Sequence, residues 1–132
     1  MFLAVAAHAE VHVHDPWIAE APPTARALAA FMALENAGST PRHLVAAEAS
    51  GFDRIELHRS IEEEGMHRMV KQEAIEIPAG GRVELAPGDY HVMLMGVQAP
   101  LRAGDTVSMR LIFANDEVRS LEVPVRRRAF MR

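Results

Sequence analysis

The sequence contains no cysteine among its 132 residues. That absence excludes disulfides, thiolate catalysis, cysteine-type zinc sites and iron–sulfur clusters. It also excludes blue copper and other thiolate-copper centres, which require a cysteine ligand. A basic excess is missing too: 14 Lys+Arg stand against 18 Asp+Glu, a net charge of −4. A nucleic-acid binder would want a basic face, so that class is set aside. No stretch approaches the roughly 18–20 apolar residues of a membrane-spanning helix. Internal repeats and low-complexity linkers are likewise missing, and at this length one domain is expected. What the sequence does have is eight methionines and seven histidines in a chain that is 49% apolar and 24% charged. Thioethers and imidazoles without a thiol are the chemical signature to be explained.

The N-terminus opens on the apolar run Phe2–Ala7, followed by Ala7-His8-Ala9, which resembles a small-x-small cleavage site. A secretory apolar segment usually has about 7–15 residues behind a basic stretch, and no Lys or Arg precedes Arg26. Residues 1–9 therefore read as the residual end of a signal peptide, cleaved after Ala9 or Ala7, from an exported, periplasmic protein. Residues 10–125 form the expected domain, and residues 126–132, Arg126 to Arg132, a basic tail in which Met131 is a spare soft donor.

From Val11 onward, short apolar runs alternate with turn chemistry. Val11–His14 alternates with period 2 and is expected to stop at Asp15-Pro16. Ala25–Glu35 fits either a helix, by its alanines, or a strand, by the spacing of Leu28, Ala30, Met32 and Leu34. Strand signals then dominate: His43–Ala47, Arg54–His58, Ala74–Ile77, Arg82–Leu85, His91–Met95, Thr106–Phe113 and Ser120–Val125. Gly, Pro, Asn and Asp separate them at spacings typical of an all-β sandwich or barrel. Glu62-Glu63-Glu64-Gly65 reads as a solvated loop.

Residues two apart on a strand share a face. His91, Met93 and Met95 therefore line one side of their strand, while Val92 and Leu94 enter the core. In the segment ending at His58, Ile55 and Leu57 mark the buried face, leaving Arg54, Glu56 and His58 opposite. Met66-His67-Arg68-Met69 places two methionines in a polar stretch with little reason to bury them. Singly, each of these residues has an ordinary reading as core filler or solvated surface.

Their spacing changes that. Ten residues separate His58 from Met69, 21 separate Met69 from His91, and one separates His91 from Met93. His-x10-Met-x21-His-x-Met is the signature of the PCu(A)C periplasmic copper chaperones, and this sequence resembles that family at every signature position. The flanks agree: Ile75–Gly81, Val83–Leu85, Tyr90–Gly96, Pro100-Leu101 and Gly104–Thr106. Trp17 after Asp15-Pro16 and the stretch ending Leu34-Glu35-Asn36 look like the family's opening segment. The resemblance implies a cupredoxin-like Greek-key β-sandwich, with strand rather than helix over Ala27–Glu35. It implies a Cu(I) site of His58, Met69, His91 and Met93 on loops and strand ends at one edge, with Met66, His67 and Met95 as auxiliary or access-lining residues. It further implies a monomeric carrier rather than an enzyme. Delivery would be to the CuA centre of cytochrome c oxidase subunit II, with a Sco-type thiol protein assisting.

The chemistry agrees. Cu(I) is soft and accepts thioether sulfur and imidazole nitrogen, whereas Mg²⁺ and Ca²⁺ demand oxygen. Thioethers form no disulfides and so persist in an oxidising compartment, with sulfoxide formation as their weak point. His12 and His14 present both imidazoles on one side of a strand, a geometry able to bind Cu(II) as a second site. A copper-dependent redox enzyme, or a Cu(II)-handling protein using these N-terminal histidines, is the alternative reading.

Overall fold

The computed structural model describes residues 10–127. The expected signal-peptide segment with His8, and Met131 in the basic tail, lie outside the described residues. The chain forms ten strands: β1 (Val11–Ala19), β2 (Ala27–Asn36), β3 (Arg42–Ala49), β4 (Phe52–Glu63), β5 (Met66–Gln72), β6 (Ile75–Ile77), β7 (Arg82–Leu85), β8 (Tyr90–Val97), β9 (Thr106–Phe113) and β10 (Val118–Arg126). No helix occurs among the described residues. Hydrogen bonding runs continuously in the order β5-β4-β8-β7-β2-β1-β10-β9-β3-β6. A short parallel pairing, Ile18 with Val125 and Ala19 with Arg126, joins the β1 half to the β10 half. The ribbon folds over there, and one core cluster draws on both halves. Leu28, Leu34, Leu57, Val92 and Leu94 meet Leu44, Ile75, Leu111, Phe113 and Val123, all almost wholly buried. The expected all-β, cupredoxin-like fold is what the chain adopts.

Period-2 patterning explains most of this. In β9, Val107, Met109, Leu111 and Phe113 are buried while Thr106, Ser108 and Arg110 are exposed. β2 is the exception, buried on both faces through Phe31–Leu34, because its outer face is also covered. Asn36 ends β2 fully buried yet satisfied: its amide donates to the Thr40 and Ile77 carbonyls at 2.8 and 3.1 Å. Its Oδ1 accepts from the Gly38 N–H, so no polar group is stranded.

Two sequence expectations require correction. β1 does not stop at Asp15-Pro16 but continues to Ala19, with a bulge between His14 and Trp17. Asp15 takes a positive φ of 48° there, and Pro16, which has no N–H to give, sits where the ladder is interrupted. The acidic run is not a loop either. β4 extends to Glu63, and Glu64 and Gly65, at φ 52° and 78°, form a two-residue hairpin turn of the type that matches strand twist. The returning strand, β5, went unread because Met66–Gln72 is largely exposed and so lacks an alternating pattern.

Candidate metal centre

The antiparallel register brings His58, Met69, His91 and Met93 onto one sheet face. His58 pairs directly with His91, and Glu56 with Met93, across β4 and β8. Across β4 and β5, Ser60 pairs with Met69 and His58 with Lys71. Met69, His58, His91 and Met93 therefore share the face turned away from Leu57, Val92 and Leu94, with the two histidines side by side. The thioethers flank that pair at opposite corners, Met69 one step toward Ser60 and Met93 one step toward Glu56. All four lie within strands, not loops, and only His91 stands near a strand end.

Although this is the outer face, it is well covered around the histidines. His58 is 8% and His91 2% exposed. The two rings are 5.8 Å apart between centroids, and the Phe31 ring lies 6.3 Å from that of His91, with Trp17 tilted against Phe31 at 5.0 Å. Ala29 of β2 stands opposite Met93. Met69 is different: at 57% exposed on the edge strand, it is held by a contact from Ser60 Oγ to Met69 Sδ of 3.2 Å.

Hydrogen bonds give the two rings opposite orientations. His91 Nδ1 lies 3.1 Å from the Asp89 carbonyl oxygen. A carbonyl only accepts, so Nδ1 carries the hydrogen and Nε2 keeps its lone pair. His58 Nε2 lies 2.9 Å from Glu56 Oε1. The two nitrogens left over, His58 Nδ1 and His91 Nε2, are buried without any partner. Buried polar atoms are normally satisfied, and a pair of bare imidazole nitrogens on adjacent strands is what a metal centre requires before loading.

The electrostatics favour a neutral imidazole at His91, the more deeply buried of the two rings. Burial pushes the His91 imidazole below its ordinary value, against the hydrogen bond to Asp89, and the neighbouring His58 adds to the fall. The hydrogen bond from His58 chiefly holds the Glu56 carboxyl below its ordinary value despite desolvation, with Arg54 and Lys71 assisting. Glu56 stays ionised beside the rings.

The remaining candidates stand apart from the histidine pair. Met95 shares the face and accepts a contact from Arg54 Nη2 at 3.4 Å. His67 is exposed, near Glu62. Met66 pairs with Glu63 and, by alternation, faces the opposite side of β5 from Met69. His12 and His14 are exposed neighbours on β1, and His14 Nε2 is taken up at 3.0 Å by Glu35. Among the described residues no three His, Cys, Asp or Glu side chains converge to hold a metal ion, so any centre here depends on its thioethers. Sequence reasoning placed Glu56 on the correct face without a role. Its signal was the i, i+2 spacing to His58. Phe31 and the Asp89 carbonyl had no local signal.

A family model described as "Putative lipoprotein LpqE-like" matches residues 11–125. The chain belongs to this LpqE-like family. Within it, the "Putative lipoprotein Lxx21020" of Leifsonia xyli subsp. xyli is 37% identical over 99 residues, 74% of this chain and 60% of its own length. The chain thus spans less than two thirds of that relative. Among solved structures, the copper-bound PCuAC domain from PmoF2 superposes at a TM-score of 0.78 with 20% identity, covering 92% of this chain and 97% of its own. The Cu(I) form of DR1885 from Deinococcus radiodurans superposes at 0.69 with 30% identity, over 94% and 83% respectively. The LpqE-like chain therefore shares the PCuAC fold, and the family resemblance read from its spacing holds. The family's description is of lipoproteins, and no helix of the described residues is long and apolar enough to cross a membrane.

Proposed function

We propose that this LpqE-like chain is an extracytoplasmic, periplasmic copper chaperone that carries Cu(I) between His58, Met69, His91 and Met93. One observation carries the reading: two buried, unpartnered imidazole nitrogens on adjacent strands, flanked on the same face by two thioethers. Two neutral nitrogens and two neutral sulfurs suit a soft monovalent ion and offer little to oxygen-seeking Mg²⁺ or Ca²⁺. The solved PCuAC relatives, determined with copper in two cases, support it.

The exposure gradient supports transfer rather than storage. His91 is 2% and Met69 57% exposed, so an incoming partner's donor displaces Met69 first while the histidines still hold the ion. Stepwise exchange of this kind needs no free ion at any stage. A partner with thiolate donors drives it forward, and the dinuclear CuA centre of oxidase subunit II, with a Sco-type protein assisting, is the proposed destination. No turnover chemistry belongs to this reading.

Anaerobic Cu(I) titration against a chromogenic chelator tests the site. One ion per chain is expected for the native protein, lost in the Met69→Leu, Met93→Leu double variant. Absence of Cu(I) binding, or unchanged binding in the double variant, overturns the assignment. Oxygen- or peroxide-dependent turnover that scales with bound Cu(II) would replace the carrier by a redox enzyme.

A further inference from the structure

We propose that Glu56 is a positioning residue that locks the His58 ring with Nε2 protonated and Nδ1 turned to the metal. The inference rests on the copper-site reading above and deepens it. The two oxygens of Glu56 divide their work. Oε1 accepts from His58 Nε2 at 2.9 Å, while Oε2 faces Arg54 Nε at 3.0 Å and Lys71 Nζ at 3.8 Å. The two cations, one from its own strand and one from β5, anchor a carboxylate whose side chain is 15% exposed.

An ionised carboxylate has no hydrogen to give, so the ring nitrogen facing it must carry one. In the neutral imidazole this leaves Nδ1 bare, and His58 Nδ1 is the buried atom without a partner. His91 is set the other way round by the Asp89 carbonyl, with Nε2 bare. The two ligands thus present different ring nitrogens, each fixed by an acceptor on its far side. Carboxylate partners of this sort orient metal-binding imidazoles and raise their basicity. Glu56 also carries a negative charge next to the monovalent ion without itself being a ligand.

The geometry separates Glu56 from a purely structural ion pair, because it specifies a tautomer in the metal-free protein. Long-range ¹⁵N–¹H NMR of the imidazoles, with the metal-free native protein, should show His58 with protonated Nε2 and bare Nδ1. His91 should show the converse. In Glu56→Ala the His58 nitrogens should move toward averaged tautomers, and Cu(I) affinity should fall by about 10–100-fold. Glu56→Gln, which keeps an acceptor oxygen but also offers a donor, should fall between. His91 should keep its Nδ1–H signal in both variants, which checks that the sheet has folded.

A native His58 protonated at Nδ1 overturns the inference. So does a Glu56→Ala protein whose His58 tautomer is unmoved, or whose Cu(I) affinity stays within twofold of native. A native protein with no Cu(I) binding overturns the copper-site reading itself, and the role of Glu56 with it.

Discussion

His91 should be a residue the fold carries at a loss in the absence of metal. Its ring is 2% exposed, with Nε2 buried and unpartnered. An unsatisfied buried group of this kind costs about 1–3 kcal/mol, and an apolar replacement of similar shape recovers it. His91→Leu also loses the bond from Nδ1 to the Asp89 carbonyl, worth roughly 0.5–1.5 kcal/mol net. That carbonyl is not stranded, because it still accepts from the Ser60 N–H at 3.0 Å. The balance is a variant about 1 kcal/mol more stable than the native chain when both are metal-free. Urea unfolding at about pH 8, where ordinary imidazoles are neutral, measures it.

The pH dependence supplies a second reading of the same variant. His91 is held below its ordinary value of 6.5 by burial, so below that pH the unfolded chain binds the proton and the folded chain resists it. Stability of the native protein therefore falls as pH drops from 6.5 toward the folded value. The variant lacks this term, and its advantage grows over that window. Added Cu(I) reverses the order, since binding at a hundredfold excess over Kd stabilises the native chain alone by about 2.7 kcal/mol. A metal-free His91→Leu protein destabilised by more than about 1 kcal/mol would show that the imidazole is a satisfied structural group. The unpartnered Nε2 would then carry no cost to the fold.

Two further perturbations separate fold from site. Leu94 is fully buried on the core side of β8, so Leu94→Ala should cost about 2–5 kcal/mol, seen as a lowered urea midpoint with an unchanged slope. Met66 is 69% exposed and faces away from Met69 on β5, so Met66→Leu should leave Cu(I) affinity within twofold of native by chelator competition. A larger loss there would mean that β5 presents its other face to the ion.

Much of the fold was legible because its strands are half-buried and punctuated. β9 alternates cleanly, and Gly, Asn and Asp mark its ends. The failures have physical causes. Edge strand β5 is exposed on both faces at Met66–Met69, and a strand without a buried face leaves no hydrophobic period. The Asp15-Pro16 pair is turn chemistry, but a bulge can absorb it without ending a strand. β2 stayed ambiguous because covering both of its faces erased the alternation that would have distinguished strand from helix.

The sequence by itself determined which donors exist and how far apart they lie along the chain. The missing thiol, the His and Met residues, and the period that puts Val92 and Leu94 in the core are all local properties. Only the tertiary structure decided what those donors can do together. Register across β5, β4 and β8 is set by long-range hydrogen bonds and by the Glu64-Gly65 turn, and a slip of one residue would send His58 to the core face. The covering of His91 by Phe31 comes from a strand 60 residues earlier. The Asp89 carbonyl and the Glu56 carboxylate then settle which nitrogen each ring offers. Spacing along a chain cannot encode these choices, because they depend on atoms that meet only once the sheet has folded.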